Sequence, residues 1–81
     1  MKIDEGKIDD AVLALLHLTL HDGCRAWKGF DWSTMERLHQ NGWIDSPANK
    51  NKSIMLTDEG LARSKQLFQA LFTRPERESR P

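Results

Sequence analysis

The chain has 81 residues, enough for one small domain and too few for most enzyme architectures. Charged residues make up 30% of it, but 12 Lys and Arg balance 12 Asp and Glu. No overall positive field therefore directs the chain to nucleic acid or to an anionic membrane.

Cysteine usage and the N-terminal sequence indicate a compartment. The single cysteine, Cys24, cannot form an internal disulfide, which is typical of a reducing environment. The acidic start lacks the basic region of a signal peptide, and the longest apolar run, Ala11 to Leu16, is far shorter than a membrane span. We expect a cytoplasmic protein with no membrane partner.

Helix 1 is predicted from about Asp4 to His21. Its apolar residues recur at helical spacing, at Ile8, Val12, Leu15 and Leu16. Leu13 and Leu18 lie on other faces, so the apolar stripe is wider than a surface helix requires. Either one subunit buries it fully or two subunits share it. Gly23 is expected to end the helix in the left-handed conformation.

Residues 24–32 (CRAWKGFDW) show no clean period and predict a folded-back connection that holds at most one helical turn. Its aromatic side chains are Trp27, Phe30 and Trp32. Aromatic residues supply a large share of the apolar area of a small chain, so we predict that these three belong to the core.

Helix 2 is predicted to begin at Asp31 as N-cap residue or, one turn later, at a capping box of Ser33 and Glu36. It ends at Asn41–Gly42, where a left-handed glycine lets Trp43 fold back on the helix.

A two-stranded hairpin is predicted next, because residues 43–46 and 52–56 are short apolar runs separated by turn formers. By the period of two, Ile54 and Leu56 face the core while Ser53 and Met55 face outward.

Helix 3 follows, with Thr57 as its N-cap residue. Its predicted inward face consists of Leu61, Ser64, Phe68, Leu71 and Phe72. Residues 73–81 contain two prolines and no aliphatic side chain, which predicts a flexible tail.

These elements predict an α+β, mainly helical domain over residues 1–72, with three helices and one two-stranded β-hairpin. The predicted core consists of Val12, Leu15, Leu16, Leu38, Ile44, Ile54, Leu56, Leu61, Phe68 and Leu71.

Two motifs carry a family resemblance. Leu38-x-x-x-Gly42-x-Ile44 and Leu56-Thr57-x-x-Gly60 resemble the C-terminal half of MarR-like and PadR-like winged-helix proteins, over roughly residues 31–72. The resemblance implies that helix 2 is a recognition helix, that the hairpin is a wing, and that helix 3 packs behind them.

Over its whole length the chain also resembles a small uncharacterised bacterial family of unknown function. The resemblance lies in IDDAVLALL, LHDG and RAWKGFDW, at residues 8–16, 20–23 and 25–32. It implies no known activity.

DNA binding is the first functional hypothesis. Helix 2, over residues 33–41, and the wing, over residues 47–52, would carry the side chains for base and phosphate contacts. The candidates are Ser33, Thr34, Arg37 and Gln40 on the helix and Lys50 and Lys52 on the wing. The alternative for this helix is an ordinary solvated face.

Protein binding is the second hypothesis, through the helix 1 face or through RAWKGFDW. The candidate residues are Leu13, Leu18, Arg25, Trp27, Lys28 and Trp32. We expect a homodimer, because three helices and a hairpin cover only part of helix 1.

His17, His21 and Cys24 have the spacing H-x3-H-x2-C, with His39 as a conceivable fourth metal ligand. Because paired cysteines are absent, helix-end histidines and a lone thiol explain the pattern without a metal. The chain also lacks a phosphate loop and has little room for a deep pocket. We expect no metal, no cofactor, no small-molecule substrate and no catalysis.

Overall fold

The computed structural model describes residues 1–75, which form three α-helices, a 3₁₀ turn and a two-stranded antiparallel sheet. In chain order these are α1 (Glu5–Leu16), the 3₁₀ turn (His17–Thr19), β1 (Arg25–Trp27), α2 (Trp32–Gln40), β2 (Ser53–Met55) and α3 (Asp58–Phe72). The predicted α+β, mainly helical fold class is confirmed. Within this range no helix has the length and apolar character needed to cross a membrane. Residues 76–81 of the predicted tail lie outside the described residues.

The first helix is shorter than predicted. The α-helix ends at Leu16 and continues only as the 3₁₀ turn. Asp22 and Gly23 both have positive φ, 48° and 83°, and His21 and Arg25 on either side exchange backbone hydrogen bonds of 2.8 and 3.0 Å. Gly23 therefore does not end α1. It closes a tight turn that leads into β1, where a left-handed residue is required.

Strand β1 lies where the sequence predicted a connection with at most one helical turn. It pairs with β2 in the register Arg25↔Met55, Ala26↔Ile54 and Trp27↔Ser53. The predicted hairpin of 43–46 with 52–56 is reduced to a single bridge between Ile44 and Leu56. Pro47 has no N–H to donate, so a longer ladder on that side is not available.

The side chain of Ser53 is buried, although the strand period predicted it to face outward. Its hydroxyl accepts a 3.2 Å hydrogen bond from the Arg25 guanidinium, which lies on the neighbouring strand. Met55 is exposed, and Ile54 and Leu56 are buried, as predicted.

Both ends of α2 are as predicted from Asp31 and from Gly42. The Asp31 carboxylate accepts hydrogen bonds from the backbone N–H and the hydroxyl of Thr34, both 3.1 Å. Gly42 has a φ of 81°, and the N–H of Trp43 donates to the Leu38 carbonyl at 3.0 Å. The N-cap at Asp31 excludes the later start, since Ser33 already lies inside the helix.

Helix α3 begins at its predicted N-cap residue and packs along α1. The Thr57 hydroxyl accepts from the Gly60 N–H at 3.0 Å. Further along, the buried Ser64 hydroxyl donates to the Leu13 carbonyl at 2.7 Å. One turn later in α3, Phe68 contacts His17, which follows the end of α1. Later residues of α3 therefore contact later residues of the first helical segment, so the two helices run parallel.

The core is aliphatic and lies between the three helices and the sheet. Its buried apolar residues are Val12, Leu13, Ala14, Leu16, Ala26, Met35, Leu38, Ile44, Ile54 and Leu56. Of the predicted core, Leu15, Leu61 and Phe68 are only half-buried. Leu71 is 51% exposed, so its placement in the core was wrong. The last turn of α3 extends beyond the end of α1, and nothing in the described chain covers it fully.

Candidate functional site

The aromatic side chains lie outside the core. All three Trp and all three Phe of the chain fall within residues 1–75, and none of them is fully buried. Trp27 is 51% and Trp32 56% exposed, and Phe30 is exposed as well. The prediction that these three belong to the core was therefore wrong. Aliphatic side chains and Met35 fill the core, and Trp43 packs against it from outside.

Five apolar side chains lie on the three elements that meet at the 3₁₀ turn. This turn contacts both β1 and α3 and presents Leu18, which is 65% exposed. Strand β1 adds Trp27 on one side, and the last turns of α3 add three more residues on the other. We call this the apolar surface: Leu18, Trp27, Phe68, Leu71 and Phe72.

Local contacts hold the apolar surface in place. The ring centroid of Trp27 lies 4.5 Å from that of His21, and the backbone N–H of Trp27 donates to the Thr19 hydroxyl at 3.1 Å. Phe68 lies 4.9 Å from the His17 ring and 5.9 Å from Phe72. Because these rings are already ordered, a partner would lose little side-chain entropy on binding them.

Sequence reasoning missed the α3 part of this surface, because it assigned Phe68, Leu71 and Phe72 to the inward face. The predicted length of helix 1, from about Asp4 to His21, concealed this outcome. In the structure α1 has 12 residues and α3 has 15, so α1 is too short to cover the last turn of α3.

The predicted partner-binding residues divide into three groups. Leu18, Trp27 and Trp32 are exposed, as a docking role requires. Leu13 is only 1% exposed, so its placement on a free helix face was wrong, since α3 packs over it. The last two residues, Arg25 and Lys28, form hydrogen bonds within the fold. Arg25 donates to Ser53, and the Lys28 ammonium donates to the Pro47 carbonyl at 2.9 Å.

Two of the predicted DNA-contacting residues on α2 are not available. Thr34 is buried, and its hydroxyl is hydrogen-bonded to Asp31. The Arg37 guanidinium forms ion pairs of 2.8 Å with Asp9 and 3.3 Å with Glu5 on α1. The hydrogen bond to Asp9 also raises the pKa of Arg37. The prediction that Thr34 and Arg37 lie on an exposed face of helix 2 was therefore wrong.

A cavity of about 360 Å³ lies between the N-terminal ends of α1 and α2. Ile3 and Ile8 form its apolar side, and the Glu5 and Asp31 carboxylates lie at its polar side. The charge of Arg37, its basic lining residue, is already satisfied by Asp9. This side of α2 is therefore unfavourable for a phosphate backbone.

The remaining candidates for DNA contact are exposed. They are Ser33, Gln40, Lys50 and Lys52. Lys50 and Lys52 lie in the loop before β2, which Lys28 ties down through three hydrogen bonds of 2.9 Å to Pro47 and Asn49. The loop therefore holds two exposed ammonium groups on a fixed backbone.

The histidines and the cysteine do not converge. Across residues 1–75 no three His, Cys, Asp or Glu side chains lie together as a metal site would need. His17 packs against Phe68, and the Nδ1 of His21 donates to the Thr19 carbonyl at 2.8 Å. The Nδ1 of His39 donates to the Ile44 carbonyl at 3.1 Å. In the described part of the chain these rings support the fold and the apolar surface.

Comparison with known proteins agrees with the full-length resemblance. Residues 4–74 match the DUF6429 model, described as a domain of unknown function. The chain belongs to the DUF6429 family. It is 68% identical over 74 residues to the uncharacterized protein y4hR of Sinorhizobium fredii (strain NBRC 101917 / NGR234). The aligned region covers 91% of this chain and 100% of y4hR. No solved structure is significantly similar to this chain. The predicted membership of an uncharacterised family with a bacterial member is confirmed.

Proposed function

We propose that this DUF6429 protein is a non-enzymatic interaction module that binds a protein through the apolar surface. The observation that carries the proposal is the grouping of Trp27, Leu71 and Phe72 around Leu18, each of them about half exposed or more. Isolated exposed apolar residues are ordinary, but several large exposed apolar side chains on elements that meet at one turn are typical of a docking site.

The size of the apolar surface supports this function. A large aromatic side chain has roughly 150 to 250 Å² of area, so the five exposed fractions sum to roughly 450 Å². This lies in the range of the largest patches on soluble monomers, about 300 to 600 Å², which are often functional. Burying it contributes on the order of 10 kcal/mol before the entropy of association is subtracted.

Photo-crosslinking in cells tests the proposal. A benzophenone amino acid at Leu18 should give a discrete covalent adduct with a protein, because a docked partner holds its C–H bonds against the probe. The matched control is the same probe at Ile3, which is 66% exposed against 65% for Leu18 but lies beside the acidic cavity. Equal or absent adducts at both positions would contradict the proposal.

DNA binding through the wing is a second candidate. It is favoured by the exposure of Lys50 and Lys52 on a loop that Lys28 fixes. The winged-helix resemblance implies a phosphate-contacting role for such a loop. The apolar surface does not depend on this role, and both could exist in one chain.

Fluorescence anisotropy with a labelled mixed-sequence duplex tests the DNA candidate. We expect micromolar affinity that falls as roughly the third power of salt concentration, for about three to four phosphate contacts. Lys50→Ala/Lys52→Ala should abolish it. Lys2→Ala/Lys7→Ala removes the same charge from exposed positions at the N-terminus and should leave it unchanged. Absence of binding at low salt, or equal loss in both double variants, would exclude a DNA-binding wing.

A further inference from the structure

We infer that the partner that covers the apolar surface is a second copy of this chain. The inference rests on the proposed function and specifies its partner. It commits to a symmetric dimer in which Leu18, Trp27, Phe68, Leu71 and Phe72 of both copies pack against one another.

The first argument is the distribution of apolar side chains within one copy. The core is aliphatic, whereas no Trp or Phe, all of which lie in residues 1–75, is fully buried. Small domains bury a low fraction of their surface and gain most from further apolar contact. A second copy is present wherever the first is made, so self-association completes the burial without any other gene product.

The second argument is area. A standard interface buries about 800 Å² on each partner, of which about 56 to 65% is apolar. The roughly 450 Å² of the apolar surface, from typical side-chain areas, fits the apolar centre of an interface of that size. Exposed polar residues within a few positions of these side chains in the sequence are Asp22, Lys65, Gln69 and Arg74.

The third argument is charge. The five residues of the apolar surface carry none, and 12 basic residues of the chain balance 12 acidic ones, so two copies do not repel each other through net charge. The exposed charged residues nearby in the sequence carry both signs, with Asp22 after the 3₁₀ turn and Lys65 and Arg74 on and after α3. In a two-fold interface the same patch meets itself, so a basic residue of one copy can approach an acidic residue of the other.

Sedimentation equilibrium of the full chain over micromolar to sub-millimolar concentrations tests the inference. The wild-type chain should have twice the monomer mass. Leu18→Glu and Phe72→Glu should each weaken dimerisation at least about 30-fold, since each places two carboxylates in an apolar interface. Ile3→Glu adds the same charge at equal exposure and should leave the dimer intact. Circular dichroism verifies that each variant is folded, and Leu71→Ser gives a milder substitution should either glutamate variant unfold.

The outcomes separate this inference from the proposed function. A wild-type monomer at sub-millimolar concentration would overturn the inference that the partner is a second copy. A dimer that survives Leu18→Glu, Phe72→Glu and Leu71→Ser would overturn it as well. If the Leu18 crosslink then joins a protein of another mass, the proposed function stands with a different partner. An adduct of twice the chain mass supports both, and a monomer without any adduct overturns both.

Discussion

Replacing Gly60 with alanine should destabilise the fold by about 3 kcal/mol or more. A Cβ atom at Gly60 would lie 2.7 Å from the carbonyl carbon of Trp43, and closer still to its oxygen. These are backbone atoms, and the same oxygen accepts the 3.0 Å hydrogen bond from the Thr57 N–H. No side-chain rotation can relieve the overlap, so α3 must move away from the end of α2.

The sign of this effect is diagnostic. In an uncrowded helix, glycine to alanine stabilises by about 0.5 to 1 kcal/mol. Urea denaturation of Gly60→Ala therefore distinguishes a close approach from ordinary helix propensity. Gly29→Ala, in the loop between β1 and α2, is the control for the added methyl group alone, because nothing lies within 4 Å of its added Cβ, and it should change stability little. A more stable Gly60→Ala protein would show that α3 does not pack this closely on Trp43.

Leu13→Ala should cost about 2 to 5 kcal/mol of unfolding free energy, because it leaves a cavity in a closed core. Leu13 is 1% exposed, and its carbonyl oxygen accepts the 2.7 Å bond from the buried Ser64 hydroxyl. Chemical denaturation with the wild-type chain in parallel measures the loss. Leu13→Glu should abolish folding rather than release a soluble monomer, since it buries an unpaired carboxylate.

Leu18→Ala is the matched control for the core substitution. Leu18 comes from the same apolar stretch of the sequence but is 65% exposed, so its truncation should change the stability of the monomer by less than about 0.5 kcal/mol. The comparison is made under monomeric conditions, where an interface contributes nothing. Equal losses at the two positions would contradict the assignment of Leu13 to the core and Leu18 to the surface.

These two leucines illustrate what the apolar pattern of helix 1 leaves open. The sequence shows more apolar residues than one face of the helix needs, and it left open whether one subunit or two cover them. Which residues are covered depends on where α2, α3 and the sheet pack. α3 buries Leu13, and the change from α-helix to 3₁₀ turn leaves Leu18 outside.

Strand β1 shows a similar dependence on distant residues. Arg25, Ala26 and Trp27 have no strand signal of their own, and they become a strand by pairing with β2, about 28 residues further along. Arg37 likewise looks like an exposed cation within its own helix. Its partner Asp9 lies on α1, at a separation of 28 residues.

The sequence by itself determined the helix boundaries that depend on local chemistry, and it identified the family. Asp31, Thr57 and Gly42 act through hydrogen bonds or backbone angles within a few residues of themselves, which a pattern can predict. The tertiary structure alone decided that Cys24 precedes a strand, that the aromatic rings lie outside, and that five of the apolar side chains lie on elements that meet at the 3₁₀ turn. These outcomes depend on contacts between residues far apart in the chain, and the free energy of such contacts is set by packing rather than by local preference.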